Sequence, residues 1–118
     1  MFYSLDQFED LDQIPELSVI ENTRFCIGEK TNDIDLSKRL AKLADLFVMD
    51  AFATSHRAHA STTGVITFST DACAGLLLDE ELNALSKAKE ESKNSVAILG
   101  GAKISTKLSL INSLSKSM

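Results

Sequence analysis

The chain has 118 residues, of which 44% are hydrophobic and 25% are charged, and its formal net charge is -5. This composition is that of an ordinary globular domain and excludes a disordered tail or a fibrous protein. The net negative charge gives no overall attraction to nucleic acid or to an anionic membrane, so a site for an anion has to be local. We therefore expect neither nucleic acid nor a membrane as a partner.

Cysteine usage and the N-terminus predict a cytoplasmic protein. Cys26 and Cys73 show neither the spacing of a zinc site nor that of a disulfide framework, so we expect reduced thiols and no metal site. No apolar run approaches the roughly 20 residues that span a bilayer. The N-terminal MFYSLDQFEDLDQ lacks the basic start and the apolar block of a signal peptide.

Apolar periodicity predicts a strand, a helix and a strand in the first half of the chain. Residues 1–16 indicate a lead-in with one short element. LSVI (17–20) and LFVM (46–49) are short apolar runs typical of buried strands, and apolar residues three and four positions apart predict an amphipathic helix over 34–45. Strands that are apolar on both faces indicate a parallel sheet covered by helices.

The second half continues this alternation. TTGVITF (62–68) favours a strand or an extended loop, and Thr70–Asp71 is a candidate cap for a long helix over 74–91. VAIL (96–99) predicts a third buried strand, and a further helix begins near Ile104 without an ending signal. The sequence thus predicts an incomplete α/β fold, a Rossmann-like, three-layer parallel sheet with helices on both faces.

Basic residues follow the carboxyl ends of the predicted strands, where open α/β sheets bind ligands. Arg24 comes after the first strand and Arg57 after the second, and Lys103 and Lys107 follow the third. A single surface arginine or histidine is more often a solvated or hydrogen-bonded residue than a ligand-binding one. Recurrence at three successive strand ends on one edge favours a shared anion site instead.

DAFATSHRAHASTTG (50–64) places His56 and His59 on either side of Arg57. The arginine fork is planar and always charged, which suits carboxylate or phosphate, and imidazoles add donors whose charge responds to a bound anion. The stretch therefore predicts a site for a small, multiply charged anion. No activated nucleophile is evident. We expect turn and cap roles for Asp50 and for four hydroxyl residues, Thr54, Ser55, Ser61 and Thr62.

GGAKISTK (100–107) is a second candidate anion site. Gly100 and Gly101 let the backbone approach a phosphate closely, and the N-terminus of the helix that follows favours an anion. Lys103 and Lys107 lie four positions apart and can reach the same polyanion. The spacing matches neither a Walker A loop nor GxGxxG, and a glycine turn with a solvated lysine face is the alternative interpretation.

Four motifs, in their order and spacing, resemble those of phosphoglycerate kinase over about residues 17–115: ENTRF, LADLFVMDAFATSHRAHAST, ACAGLLLDEEL and VAILGGAKISTK. The resemblance implies two α/β domains that a hinge closes for phosphoryl transfer. The N-terminal domain binds 3-phosphoglycerate or 1,3-bisphosphoglycerate, and the C-terminal domain binds Mg-ADP or Mg-ATP. On this mapping, 1–73 is part of the N-terminal domain, 74–92 is the inter-domain helix and 93–118 begins the C-terminal domain.

The resemblance also implies roles for the cationic residues. Arg24 of the EN-RF motif and Arg57 of the HRA motif bind the phosphoglycerate, and His56 and His59 belong to the same basic patch. Arg24 is in addition a candidate catalytic residue.

On the nucleotide side, the resemblance assigns the GGAK lysine to Lys103 and the lysine four positions later to Lys107. Both contact nucleotide phosphates and the phosphoryl group in transit, and Lys103 is the second candidate catalytic residue. Gly100 and Gly101 belong to the nucleotide site.

The leading hypothesis is a truncated phosphoglycerate kinase, a cytoplasmic glycolytic phosphotransferase with a carboxyl group as acceptor, whose parent enzyme is a monomer. Its magnesium ligand is not expected in this chain, and further substrate ligands are absent too. The isolated 118-residue chain is therefore predicted to be inactive. The alternative is a non-catalytic anion-binding or interaction module derived from that enzyme.

Overall fold

The computed structural model describes residues 2–9, 15–90, 96, 98, 100 and 107–117. The chain divides into two compact units, Met1–Leu78 and Asp79–Met118. Strands and helices alternate along the first unit, so the fold is mixed α/β, as the sequence predicts.

The described residues contain four strands and four helices. The strands are β1 (Phe2–Tyr3), β2 (Val19–Ile20), β3 (Leu46–Met49) and β4 (Asp71–Ala74). The helices are α1 (Ile34–Ala41), α2 (Val65–Phe68), α3 (Leu76–Glu90) and α4 (Leu108–Ser117). Short 3-10 turns span Leu5–Glu9, Thr23–Phe25 and Phe52–Thr54, and a π-helical turn, Ala60–Gly64, leads into α2.

The strands form two parallel pairs. β1 pairs with β2, with Phe2 opposite Val19, and β3 pairs with β4, with Leu46 opposite Asp71. Parallel pairing agrees with the predicted α/β class. Within the described residues the two pairs are separate sheets, because no backbone hydrogen-bond ladder joins a strand of one pair to a strand of the other.

Helix α1 is capped at its first turn as an amphipathic surface helix should be. The Asp33 carboxylate accepts a hydrogen bond from Leu36 N at 2.9 Å, which satisfies one of the free amides at the helix N-terminus. The helix ends at Ala41 rather than at Asp45 as predicted, because Leu43 N turns back to Leu40 O at 3.2 Å.

The stretch 62–68 is helical, so the prediction of a strand or extended loop was wrong. Its β-branched residues indicated a strand, but the π-helical turn and α2 pack on α1. Gly64 is buried there, and a side chain at this position would overlap Ser37 of α1. Tertiary packing has overridden local propensity at this point.

The residues after this helix form a strand that the sequence analysis missed. Asp71–Ala74 was predicted to cap and begin the long helix, but it pairs with β3 along its whole length. All four residues are exposed, so no buried apolar run marks the strand in the sequence. The long helix α3 consequently begins at Leu76, two residues later than predicted.

A small core lies in the first unit. Three residues are buried together, Leu5, Leu36 and Ala60. Three partly buried residues pack against them, Cys26, Leu40 and Leu43. The loop that follows Arg24, helix α1 and the turn that follows His59 therefore share one packed interior.

Several strand residues expected to be buried are exposed. Leu17 is 89% exposed, and Val19 and Leu46 are about half exposed. Of the predicted strand 17–20, only β2 (Val19–Ile20) forms a strand in the structure. These strands are covered on fewer faces than a sheet with helices on both sides requires.

The second unit contains α4, which confirms the predicted last helix over Leu108–Ser117. The start of that prediction, 104–106, lies outside the described residues, as do Ala97 and Leu99 of the predicted third strand. The other two residues of that strand, Val96 and Ile98, are 86% and 93% exposed and are not in a strand, so the prediction of a buried strand is wrong at these positions. In the part of the chain that the structure describes, no helix is both long and apolar enough to cross a membrane.

Candidate functional site

Arg24 lies on the 3-10 turn that directly follows β2. The Asn22 side chain accepts a hydrogen bond from Arg24 N at 3.1 Å and so fixes the start of this turn. The arginine itself is exposed, and its guanidinium has no acidic partner within 2–9 or 15–90. The turn therefore holds the backbone of Arg24 and leaves its charge available.

Arg57 follows β3 in the same way, after the Phe52–Thr54 turn. Its amide donates to Thr54 O at 3.0 Å, and its carbonyl accepts from Thr62 Oγ1 at 2.6 Å and from His59 N at 3.0 Å. The half-buried Arg57 side chain has no acidic partner in the described residues. A fixed backbone with an unpaired guanidinium is a suitable anchor for an anion.

The two histidines have different surroundings. His56 is exposed, whereas the His59 side chain is 19% exposed, and its Nδ1 lies 3.6 Å from Glu29 Oε1. The His59 ring thus lies near an acid from another loop, whereas His56 is exposed to solvent. Sequence reasoning placed both histidines in one patch and identified no partner for either.

Glu29 is the site residue that sequence reasoning missed. It is 3% exposed and lies in the loop between the Thr23–Phe25 turn and α1. An acid in the polar stretch GEKTND gives no signal of burial, because its partners lie about 30 residues later. The burial of Glu29 and its contacts become apparent only in the three-dimensional structure, where the two loops meet.

The predicted turn roles of Thr54, Ser55 and Thr62 are confirmed, whereas the Ser61 hydroxyl donates to the distant Glu29 carboxylate. The Thr54 hydroxyl donates to Ala51 O at 3.1 Å and the Ser55 hydroxyl to Phe52 O at 2.8 Å. Thr62 donates to the Arg57 carbonyl as described above. These contacts stabilise the loop that carries Arg57.

Asp50 also has the cap role predicted for it. Its Oδ1 accepts a hydrogen bond from Leu78 N at 2.9 Å, in the first turn of α3. Gly75 N donates to Met49 O at 2.8 Å, and a side chain at Gly75 would overlap the Asp50 carboxylate. The end of β3 and the start of α3 are therefore bonded through both backbone and side chain.

The second candidate anion site is described only in part. Lys103 and Gly101 lie outside the described residues. Lys107 is half-buried, and its Nζ donates a hydrogen bond to Gly100 O. A Cβ at Gly100 would meet nothing within 4 Å, so the backbone there is open to a ligand.

Cavities in the first unit are lined mostly by residues other than those predicted to bind an anion. One of about 430 Å³ beside β2 is lined by three acids, Asp6, Glu21 and Asp35, together with Arg39 and apolar side chains. Arg39 forms an ion pair with Asp6 at 2.7 Å. The acids of this cavity would repel an anion, so it does not form part of the predicted site.

The described residues offer no cluster of three His, Cys, Asp or Glu side chains that could hold a metal ion. Cys26 is half-buried and Cys73 is exposed, and both are free thiols.

Comparison with known proteins gives one consistent family. The family model described as "Phosphoglycerate kinase" matches residues 7–118. Two curated proteins of that name, from Haemophilus influenzae strains PittGG and Rd, are 59% identical to this chain over 102 residues. The match covers 86% of this chain but 26% of each relative.

Solved structures agree. The phosphoglycerate kinase of Coxiella burnetii superposes with a TM-score of 0.80 at 47% identity, over 96% of this chain and 30% of that one. The enzyme of Pyrococcus horikoshii gives a TM-score of 0.70 at 30% identity, over 93% and 29% respectively. The chain thus spans less than a third of the length of these relatives.

Proposed function

Because the chain belongs to the phosphoglycerate kinase family, we propose that it is a segment of an enzyme that transfers a phosphoryl group between 1,3-bisphosphoglycerate and ADP. The products are 3-phosphoglycerate and ATP, and the pathway is glycolysis. The observation that carries the proposal concerns two guanidinia, Arg24 and Arg57, which have no acidic partner among the described residues and lie on hydrogen-bonded turns that follow two strands.

Arg24 and Arg57 bind the phosphoglycerate in this proposal. Each guanidinium presents several donors in one plane, which matches the oxygens of a phosphate or a carboxylate. His56 and His59 contribute to the same basic patch. Arg24 also stabilises charge on the reacting groups, because phosphoryl transfer depends on positioning and on neutralisation of charge rather than on a protein nucleophile.

Lys103, Lys107, Gly100 and Gly101 form the nucleotide side. Lys107 is supported as a member by its hydrogen bond to Gly100 O, which places its ammonium at Gly100. A nucleotide phosphate would accept from that ammonium. Lys103 is assigned to the moving phosphoryl by its place in the motif alone.

The nucleotide of this proposal carries magnesium, which kinase sites hold through one or two carboxylates and the substrate phosphates. No group of three His, Cys, Asp or Glu side chains that could hold a metal ion occurs among the described residues. That the magnesium ligand lies outside this segment stays a prediction from the resemblance.

The segment spans parts of two domains in this proposal. Residues 1–73 belong to the phosphoglycerate-binding domain, 74–92 to an inter-domain helix and 93–118 to the start of the nucleotide-binding domain. The boundary between the compact units falls within α3, which supports this division. The half-exposed strands β2 and β3 fit a larger, three-layer, Rossmann-like sheet in the whole enzyme, which we take to be a cytoplasmic monomer.

The isolated chain binds phosphoglycerate in this account and does not turn over. Heteronuclear NMR of the labelled 118-residue chain, titrated with 3-phosphoglycerate, tests the binding. We expect the Arg24 and Arg57 side-chain signals to shift together along one saturation curve. Binding that leaves both arginines unperturbed would contradict the proposed site.

A further inference from the structure

Glu29 is an acid that the fold keeps away from water. It is 3% exposed, and a carboxylate so placed requires hydrogen-bond donors from the protein. Its donors come from a stretch of the chain about 30 residues away, the turn that follows Arg57. Glu29 therefore joins two loops that the sequence keeps apart.

The contacts of Glu29 fix three consecutive residues. Its Oε2 accepts from Ser61 N at 3.0 Å and its Oε1 from Ser61 Oγ at 2.6 Å. Its main-chain oxygen accepts from Ala60 N at 2.9 Å. The Oε1 atom also lies 3.6 Å from His59 Nδ1.

The same contacts lead on to Arg57. Thr62 follows Ser61 directly, and its hydroxyl donates to Arg57 O at 2.6 Å while it accepts from His59 N at 3.2 Å. A turn held at Ser61 by Glu29 is therefore held at the Arg57 carbonyl as well. The backbone that carries the guanidinium cannot move without breaking these bonds.

In the other direction, Glu29 is linked to the turn of Arg24. Glu29 N donates to Cys26 O at 3.3 Å, and Cys26 N donates to Thr23 O at 2.9 Å. These two bonds form successive turns between Glu29 and the segment that contains Arg24. One buried residue thus connects the backbones of both candidate anchors.

We propose that Glu29 is a positioning residue of the phosphoglycerate site. It holds the loops of Arg24 and Arg57 at a fixed separation, so that both guanidinia meet one ligand. This inference rests on the proposed function. Its physical basis is preorganisation, since anchors that are already ordered lose less conformational freedom when the ligand binds.

The test is an NMR titration of the 118-residue chain with 3-phosphoglycerate in which Glu29→Gln is compared with the wild type. The carboxamide keeps the size of the side chain but replaces one acceptor oxygen with a donor that faces Ser61 or His59. We expect the dissociation constant to rise about tenfold, the scale of one lost charged hydrogen bond. The Arg57 and Arg24 signals should no longer shift along one curve.

Two further variants separate positioning from a general loss of structure. Ser61→Ala removes one contact of Glu29 and leaves the carboxylate in place, and we expect a rise of about threefold. The double variant should bind no more weakly than Glu29→Gln alone, because both changes act through the same contact. Asp45→Asn is the control: Asp45 is exposed, has no hydrogen bond or ion pair in the described chain, and loses the same charge.

The outcomes distinguish this inference from the proposed function. A wild-type chain that does not bind 3-phosphoglycerate would overturn both. Wild-type affinity in Glu29→Gln and in Ser61→Ala, with the amide signals of α1 and β3 unchanged, would overturn the inference alone. If Glu29→Gln does not fold, Ser61→Ala decides, because its carboxylate still has the Ser61 amide as a donor.

Discussion

Arg57 is the residue on which the proposed substrate binding depends most directly. Arg57→Ala removes a charge-assisted contact that contributes about 1.5–3 kcal/mol, so the dissociation constant for 3-phosphoglycerate should rise about tenfold or more. The matched control is Arg39→Ala, because Arg39 is already paired with Asp6 at 2.7 Å. Isothermal titration of the two variants makes the comparison. Equal weakening in both would mean that overall charge, and not a site, attracts the ligand.

Gly64 supports the same loop through packing. A methyl group there would overlap Ser37 Oγ and lie 2.5 Å from Asn32 Oδ1, so Gly64→Ala should destabilise the chain by about 1–3 kcal/mol. At Gly100 a methyl group meets nothing within 4 Å, and Gly100→Ala should change stability by less than about 0.5 kcal/mol. Urea unfolding followed by circular dichroism measures both, and a Gly64→Ala midpoint equal to the wild type would rule out close packing.

The sequence identifies the charged residues of the proposed site but not Glu29, the residue that we propose arranges them. Arg24 and Arg57 are visible because they follow strands, and the hydroxyl residues are visible because turn chemistry is local. Glu29 is not, since its burial and its contact with Ser61 depend on the meeting of two distant loops. Long-range pairing of a polar residue leaves no periodic signal in a single sequence.

At the scale of elements, the cap that Asp50 supplies to α3 is a stability determinant. Asp50→Ala removes the acceptor for Leu78 N and a negative charge at the helix N-terminus, which together contribute about 1–2 kcal/mol. We expect faster hydrogen exchange at the Leu78 amide, by tenfold or more. The Leu36 amide, which Asp33 caps in α1, serves as an internal reference and should exchange as before. Unchanged exchange at Leu78 would show that the cap is dispensable.

The elements that the sequence predicts well are those whose signal is local. Helix α1 and strand β3 occur where periodicity and an apolar run place them. The region 62–68 was predicted wrongly because its β-branched residues are packed as a helix on α1, around the buried Gly64. Strand β4 was missed because its residues are exposed. It is recognised as a strand by its parallel backbone pairing with β3, which the sequence does not reveal.

For the whole molecule, we expect the segment to bind ligand without catalysing turnover. Phosphoryl transfer needs donor and acceptor held in line at about 3 to 3.5 Å, with the phosphate charge neutralised. The chain covers 26% of the length of its curated relatives. We therefore expect this segment to contribute anchors for both substrates and to need the rest of an enzyme for catalysis.

The formation of ATP from ADP and 1,3-bisphosphoglycerate in a coupled assay is the measurement that tests this most directly. It is made on the isolated 118-residue chain and on the Haemophilus influenzae relative with its matching segment replaced by this chain. The account predicts no turnover by the isolated chain and measurable turnover by the folded chimera, which Arg57→Ala should reduce about tenfold. ATP formation by the isolated chain, or a folded chimera without activity, would contradict it.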